Sequence, residues 1–498
     1  MLAARNPTDG LSDDLMAGLS DRALVRSFAY VGGRWVAAGD GSTLPVTDPA
    51  TGAEIGRVAR LSADESAAAT DAAAAAFPAW SGALPQERAA RLRRWFELMR
   101  ENREDLARIM TREQGKPLSE ARGEIDYAAS FLEFYSEEAK RPNIESVTSH
   151  LPDAEVELWR EPVGVAALIT PWNFPSAMLT RKAGAALAAG CTTVCHPSAE
   201  TPFSALALAE LAERAGIPRG VFNVVTGRAS TLVEPWLDDP RVRALSFTGS
   251  TDVGKLLYRR SADTVKRLVL ELGGHAPFLL FADADLDQAV DEAVKAKFAT
   301  TGQDCLGANR FLVERPLYEQ FCRRFAERVK ALTLGPGLED RDLGPLMNEK
   351  AVKKQEEHVA DALERGATLL CGGGRSELGP LFYQPTVLAD VPADALIMHE
   401  ETFGPVAAIA AFDTEAEAVE TANATEYGLV AYLHALDPRR IYRVSRALNF
   451  GMVAVNRTKV TGAPIPFGGM KQSGLAREGA RYGLEAFTDI KYVCRDWA

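Results

Sequence analysis

The chain has 498 residues, of which 47% are hydrophobic and 25% charged, as in an ordinary globular enzyme of two or three domains. Its net charge of −12 argues against a nucleic-acid groove, which needs clustered lysine and arginine. Six scattered cysteines, no apolar stretch of membrane-spanning length and no apolar signal-peptide core predict a cytoplasmic protein without membrane partners.

The first third of the chain is predicted to be mixed. A loose arm over residues 1–25 precedes strands within 28–36 and 47–58 and helices over 62–77, 86–110 and 119–140. Residues 156–161 alternate in polarity, which indicates an edge strand, and 490–494 resemble it. Because neither strand has an obvious partner, we expect pairing across subunits.

Strands and helices alternate strictly from residue 164 to 272. This pattern predicts a doubly wound parallel sheet with ligand sites at the carboxyl ends of its strands. The predicted strands are 164–170, 191–195, 221–225, 242–247 and 267–272, and the helices are 176–189, 202–215, 230–237 and 251–260.

A second alternating set follows and predicts a second α/β domain. Its helices are predicted at 286–298, 317–332, 349–366, 415–424 and 438–448, and its strands at 310–313, 368–370, 407–412 and 451–455.

Two segments carry groups suited to covalent chemistry. Cys305 ends the turn-like stretch GQDC just after an apolar helix, and Glu271 ends an apolar strand before two glycines. A thiolate is a nucleophile and a carboxylate can activate water. A lone cysteine is more often an inert part of the core, so the surrounding motifs must decide.

The loop over residues 247–254 joins a strand to a helix. Its spacing is G-x-x-x-x-G, and not the dinucleotide or P-loop pattern. Two interpretations stand for this loop: phosphate bound at the helix N-terminus, or tight packing of the helix on the sheet.

Six motifs then occur in one order: PWNFP, GSTDVG, ELGG, GQDC, EETFGP and PFGG. In this order they resemble the aldehyde dehydrogenase superfamily, from about residue 28 to the C-terminus. Residues 471–475 and 490–493 are most similar to its NAD(P)-dependent succinate-semialdehyde dehydrogenase branch. The resemblance implies NAD(P)-dependent oxidation of an aldehyde to a carboxylic acid by a homodimer or homotetramer.

The same resemblance implies an α/β aldehyde dehydrogenase fold with three parts. These are a Rossmann-like dinucleotide-binding domain, an α/β catalytic domain and a small β oligomerisation flap. Their expected bounds are 25–143 with 163–272, then 273–478, and 144–162 with 479–498.

The resemblance also assigns residues. The expected catalytic set is Cys305 as nucleophile, Glu271 as general base, Asn173 as oxyanion donor, and Lys182 and Glu478 in proton movement. The expected cofactor set for NAD or NADP is Thr170, Trp172, His196, Ser198, Gly249, Ser250, Glu401 and Phe403, with no metal. For Glu401 the alternative is a carboxylate at a helix start.

Several positions depart from the family pattern. His196 replaces a lysine that binds the adenosine ribose, and Ala199 stands where NAD-preferring members often have glutamate, so the choice between NAD and NADP is open. His196 either donates one hydrogen bond or is a packed neutral imidazole. Asp304 replaces threonine and is expected to raise the pKa of Cys305 unless it points away or pairs with a cation. Gly307 replaces a second cysteine, which removes that disulfide partner.

The substrate set implied by the resemblance is incomplete. Arg181 and Thr461 match positions that bind a substrate carboxylate, and Phe467 is also expected to bind the substrate. Ala299, however, replaces a second arginine of the family pattern. Arg457 and Lys459 either supply the positive charge that is missing at Ala299 or are solvent-facing residues of a loop. We expect an aldehyde with an acidic group, such as succinate semialdehyde. The alternatives are a dehydrogenase of aromatic or other non-acidic aldehydes, and a cofactor-independent thiol esterase.

Overall fold

The computed structural model describes residues 10–141 and 144–496. Residues 1–9 of the predicted arm, and residues 142, 143, 497 and 498 of the predicted domain bounds, lie outside these ranges. The described part of the arm is not loose. Helix α1 (Asp13–Met16) and a 3-10 turn at Arg22–Leu24 bury Leu15 and Leu24 in a hydrophobic core that also contains Trp95, Leu132 and Leu208.

Two hairpins and four helices follow the arm, and then two further strands. The predicted helix over 86–110 divides at Asn102, which ends one helix and begins the next. The first strand of the second hairpin lies before the predicted range of 47–58. The bounds are β1 (Ala29–Val31), β2 (Arg34–Val36), β3 (Thr43–Thr47), β4 (Glu54–Ala59), α2 (Ala63–Ser81), α3 (Pro85–Glu101), α4 (Arg103–Gln114), α5 (Leu118–Glu138), β5 (Ile144–Val147) and β6 (Ala154–Pro162).

The predicted alternation from 164 to 272 is present. One difference is the predicted helix over 230–237, which is two short helices. The bounds are β7 (Val165–Ile169), α6 (Pro175–Ala189), β8 (Thr192–His196), α7 (Pro202–Arg214), β9 (Phe222–Val224), α8 (Ala229–Leu232), α9 (Glu234–Asp238), β10 (Val242–Thr248), α10 (Thr251–Ser261) and β11 (Arg267–Glu271).

The second alternating set also forms. Three of its strands, β12, β15 and β17, were missing from the sequence-based prediction. The bounds are β12 (Ala276–Leu280), α11 (Leu286–Phe298), β13 (Ala308–Glu314), α12 (Arg315–Lys330), α13 (Glu349–Glu364), β14 (Thr368–Cys371), β15 (Thr386–Ala389), β16 (Val406–Phe412), α14 (Glu415–Asn423), β17 (Val430–His434), α15 (Pro438–Ala447) and β18 (Met452–Val455).

The strand order creates a crevice in the first sheet. Its order is β19-β11-β10-β7-β8-β9-β1-β2, where β19 is Gly474–Leu475. The parallel part of the sheet begins at β7, proceeds to β8 and β9 on one side, and then crosses to β10 and β11 on the other. The carboxyl ends of β7 and β10 therefore meet at a topological switch point, where open α/β sheets bind ligands.

The second sheet has the order β14-β15-β16-β13-β12-β17-β18, with mainly parallel pairing. Strand β12 follows β11 after four residues but belongs to this other sheet. The short connection at residues 272–275 places the end of β11 beside the second sheet. Residues from both sheets consequently meet in one cleft.

The chain ends with α16 (Ala480–Glu485) and β20 (Thr488–Asp496). Strand β20 pairs antiparallel with β6 along its whole length, and β5 pairs with the other edge of β6. Within the chain these two strands are each other's partner, and pairing across subunits stays a prediction. The predicted domain bounds stay a prediction. Within the described ranges, no helix combines the length and apolarity needed to cross a membrane.

Candidate active site

A cavity of about 420 Å³ lies between the two sheets, at the switch point. It brings together residues from the catalytic and cofactor predictions that are up to about 230 positions apart in the chain. The predicted residues that line it are Trp172, Asn173, Gly249, Ser250, Glu271, Cys305, Glu401 and Phe403. The other predicted site residues do not line this cavity and are described below.

Cys305 follows a strained turn that begins at the end of α11. Thr300 and Thr301 have φ values of 49° and 56°, a left-handed conformation that is costly for β-branched residues. The turn is held by the Glu120 carboxylate, which accepts the Thr300 N–H at 3.0 Å, and by the Thr301 hydroxyl bonded to a backbone carbonyl. The strain is compatible with a functional loop that fixes the direction of the nucleophile.

Cys305 is 7% exposed, and the pKa of its thiol lies well above the ordinary value. Burial is the main cause, followed by the negative charges of Glu271, Asp304 and Glu401. Asp304 points to the backbone, where it accepts the Leu306 N–H at 2.9 Å, yet its charge still disfavours the thiolate. At neutral pH the Cys305 side chain is therefore a protonated thiol, which must lose its proton before it can act as a nucleophile.

Glu271 ends β11 and is 1% exposed. Both carboxylate oxygens are buried without a hydrogen-bond partner from the described residues. Burial raises the pKa of Glu271 to about 7, although the charges of Arg181 and Lys182 oppose that rise. A carboxylate with this pKa is suited to general base catalysis near neutral pH.

Asn173 is held from both ends. Its side-chain amide donates to the Gln303 carbonyl at 3.0 Å, next to the nucleophile loop, and its own carbonyl accepts from Lys116 Nζ at 2.7 Å. Lys116 is in turn ion-paired with Glu124 at 2.6 Å, with both side chains 1% exposed. One amide hydrogen of Asn173 remains for an oxyanion.

Lys182 and Glu478 form a buried ion pair behind the cavity. Arg181 Nε also donates to Glu478 at 2.6 Å, and Lys182 donates to the Ser246 hydroxyl at 3.1 Å. Burial raises the pKa of Glu478, but the two cations outweigh burial and keep the pKa below its usual value. This cluster acts on the cavity through its charge on Glu271.

The cofactor side has the features that a dinucleotide requires. Ser250 is the N-cap of α10, an 11-residue helix, and its side chain makes no capping hydrogen bond. A Cβ at Gly249 would lie 2.5 Å from the Phe247 ring, so only glycine lets the loop approach the helix start. Gly249 and Ser250 therefore line the cavity at the N-terminus of α10, where a helix favours a bound phosphate.

The opposite wall of the cavity carries an aromatic pair and a carboxylate. Trp172 and Phe403 meet edge to face with centroids 5.6 Å apart. Glu401 accepts the Gly274 N–H at 2.9 Å, and burial raises its pKa to about 7. These residues fit a nicotinamide and its ribose hydroxyls, and they fit NAD and NADP equally.

His196 lies deeper, at the end of β8. Its Nδ1 is 3.3 Å from the Val225 carbonyl oxygen, and burial lowers the pKa of His196 to about 4. His196 is therefore a packed neutral imidazole whose described hydrogen bond is with this backbone carbonyl, and its contact with a cofactor stays a prediction. The neighbouring Thr170 donates its N–H to the His196 carbonyl at 3.1 Å, and its hydroxyl is buried without a described partner.

The substrate set divides into two groups. Arg181 is 1% exposed, with its guanidinium 4.2 Å from the Phe467 ring centroid, and the Tyr127 hydroxyl interacts with both Arg181 and Thr461. Arg457 and Lys459 are exposed on the loop after β18. Their roles toward a substrate stay a prediction.

Several residues that support the site were not predicted. Lys116, Glu120, Glu124 and Gln303 hold Asn173 and the Cys305 loop, and Glu200 lines the cavity. A signal existed for Glu124, a charge within the apolar pattern of α5. Gln303 lies in the GQDC motif, whereas Lys116, Glu120 and Glu200 have no local signature because their partners or the cavity are distant in sequence.

Comparisons with known proteins agree with this geometry. The model of the aldehyde dehydrogenase family matches residues 35–493. The chain is 51% identical to the succinate-semialdehyde dehydrogenase [NADP(+)] of Escherichia coli, over 96% of this chain and 99% of the relative. It is 53% identical to the non-phosphorylating aspartate-semialdehyde dehydrogenase of Halomonas elongata, over 96% and 97%.

A solved structure gives the same result. The crystal structure of an E. coli NADP-dependent enzyme has a TM-score of 0.95 and 51% identity, covering 96% of this chain and 100% of that one. The chain therefore belongs to the aldehyde dehydrogenase family and is an oxidoreductase that acts on aldehydes with NAD or NADP.

Proposed function

We propose that this enzyme oxidises a semialdehyde that bears a second, acidic group, such as succinate semialdehyde. The observation that supports this most directly is the placement of Cys305, Glu271 and Asn173 at one end of a dinucleotide-sized cavity, with the buried Arg181 behind them. The overall reaction converts aldehyde, water and oxidised dinucleotide to acid, reduced dinucleotide and a proton.

The residues have distinct roles in this proposal. The Cys305 thiol releases its proton to water and its sulfur attacks the aldehyde carbon, while the Asn173 amide and the Cys305 N–H hold the oxyanion that forms. Bound dinucleotide supplies the hydride acceptor. The resulting thioester on Cys305 is then hydrolysed by water, which Glu271 deprotonates as general base.

The preference for an acidic substrate rests on charge. The buried cluster behind Glu271 holds two cations, Arg181 and Lys182, against the single carboxylate of Glu478. Arg181 also interacts with the Tyr127 hydroxyl, which in turn interacts with Thr461, and both hydroxyls are hydrogen-bond donors for a carboxylate. The names of both relatives above specify semialdehydes of dicarboxylic acids, which fits an anion site here.

The test is turnover of NAD and of NADP over acidic, aliphatic and aromatic aldehydes, with Cys305→Ala as the blank. Higher kcat/KM for acidic semialdehydes is expected. In the double variant Arg457→Ala/Lys459→Ala, KM for these substrates should rise about tenfold, because removing a charge contact costs on the order of 1.4 kcal/mol. Arg439→Ala, which removes a comparably exposed arginine, is the control.

Other outcomes of this panel identify the alternatives. An unchanged KM in the double variant would assign Arg457 and Lys459 to the solvent. A preference for aromatic aldehydes would mean that Ala299 marks a changed pocket. Hydrolysis of activated esters without binding of either dinucleotide would favour a thiol esterase.

We also propose a homodimer or homotetramer in the cytoplasm. Large apolar side chains are exposed on the three-stranded sheet, including Ile490 at 58% and Tyr492 at 55%, and on α10, including Leu256 at 53%. Patches of this kind mark association surfaces. The cytoplasmic location is supported by the six cysteines, all of which are free thiols.

A further inference from the structure

Glu200 places a carboxylate in the cofactor cavity, in the loop after strand β8. It lies in the loop between β8 and α7 and lines the same cavity as Gly249 and Ser250. Strand β8 is the neighbour of β7 at the switch point. In doubly wound folds, an acidic residue after this second strand accepts a hydrogen bond from the adenosine ribose 2′-hydroxyl.

The carboxylate of Glu200 is held by neutral partners. Ser198 donates its hydroxyl to one oxygen at 2.6 Å, and the Asn348 amide donates to the other at 3.3 Å. None of the ion pairs found among the described residues involves Glu200. Its negative charge therefore remains uncompensated by a direct cation while it lines the cavity.

We propose that Glu200 makes NAD the preferred dinucleotide of this enzyme. Its carboxylate accepts the ribose 2′-hydroxyl of NAD and repels the 2′-phosphate of NADP. The position next to it, Ala199, carries no group that does either. This inference rests on the proposed function, because it concerns the dinucleotide of that reaction.

Two lysines, Lys350 and Lys354, line the same cavity, and their positive charges oppose the effect of Glu200 on a 2′-phosphate. Lys354 acts on Glu401, so its charge belongs to the end of the cavity near Cys305. Lys350 is exposed on α13, where solvent screens its charge, and it is the cation that a 2′-phosphate would use. The half-buried Glu200 is screened less and outweighs it.

The first experiment measures equilibrium binding without turnover. In a Cys305→Ala background, calorimetric titration gives Kd for NAD and NADP in the absence of aldehyde. We expect NAD to bind at least about tenfold more tightly than NADP, and Glu200→Gln to reduce this ratio at least about fivefold, mainly by tightening NADP. Glu357→Gln, which removes the same charge from an exposed position of α13 outside the cavity, should leave the ratio unchanged.

Fragments locate the effect on the adenosine ribose. Binding of 5′-AMP and 2′,5′-ADP should show the same shift in ratio in Glu200→Gln, since these probes lack the nicotinamide. Glu200→Asp keeps the charge and should retain the preference for NAD. A dinucleotide preference that survives Glu200→Gln, or a shift absent from the fragments, would overturn the inference.

The Cys305→Ala protein alone tests the preference for NAD, even if no Glu200 variant folds. If Cys305→Ala binds NADP more tightly than NAD, the inference fails while the dehydrogenase function stands. If it binds neither dinucleotide, both fail together.

Discussion

Glu271 is the residue at which burial sets the chemistry. Its carboxyl group has no described hydrogen-bond partner, so loss of water is not replaced and its pKa rises to about 7. The base form thus becomes available only as the pH approaches neutrality. Hydrolysis of the thioester should become faster as the pH rises through about 7 and level off above it.

This predicts the behaviour of Glu271→Gln. Without the base, Cys305 still acylates but water is not activated, so one equivalent of reduced dinucleotide should form in a burst before turnover slows by about 10²- to 10⁴-fold. Stopped-flow absorbance measures the burst, and mass spectrometry detects the acyl group on the protein. Full steady-state turnover in the variant would assign the base elsewhere. Glu357→Gln serves as the matched charge control.

At the same scale, Asp304 shows the limit of a local argument. Sequence reasoning predicted that it raises the thiol pKa unless it points away or pairs with a cation. One carboxylate oxygen accepts the Leu306 N–H, but the carboxylate also interacts with the Cys305 side chain, and its charge raises the pKa of the thiol. Direction alone does not remove a Coulombic effect inside a protein.

At the scale of elements, the start of α6 is positioned by α5. Glu124 accepts the Ser176 N–H at 3.0 Å, while its partner Lys116 holds the Asn173 carbonyl. The buried pair therefore ties a helix N-terminus to the oxyanion donor. Removing either Lys116 or Glu124 would leave the other as an unpaired buried charge, which is strongly destabilising.

Lys116→Met tests this link. The variant keeps most of the stem but leaves Glu124 unpaired, so we expect the free energy of unfolding to fall by about 3–5 kcal/mol and kcat to fall more than KM changes. Glu124→Gln added to it should recover part of the stability, as measured by urea unfolding. Lys330→Met, at an exposed lysine, is the control. Equal stability of Lys116→Met and the native protein would refute the link.

At the scale of the whole molecule, β5, β6 and β20 form a small sheet with exposed apolar residues. If this sheet is an association surface, Ile490→Asp/Tyr492→Asp should yield a smaller assembly while the fold is retained, because buried unpaired carboxylates oppose contact. Light scattering after gel filtration measures the mass. Leu378→Asp, at a position of 54% exposure outside this sheet, is the control. A monomeric native protein would contradict the proposal.

The sequence by itself determined the family and the alternation of strands and helices, and it predicted the residues that are proposed to carry the chemistry. Apolar periodicity and ordered motifs are local, so β7, α6, β10 and α10 were predicted within one or two residues of their ends. Strands β12, β15 and β17 were missed, because short apolar runs beside glycine and proline do not distinguish a strand from a buried loop.

Only the tertiary structure decided how these groups act. The pKa of Glu271, the pairing of Lys116 with Glu124, the pairing of β6 with β20 and the arrival of Glu200 in the cofactor cavity all depend on residues far apart in the chain. Burial and Coulombic interaction are properties of three-dimensional surroundings. No local pattern records them, and they set the reactivity and the dinucleotide preference proposed for this enzyme.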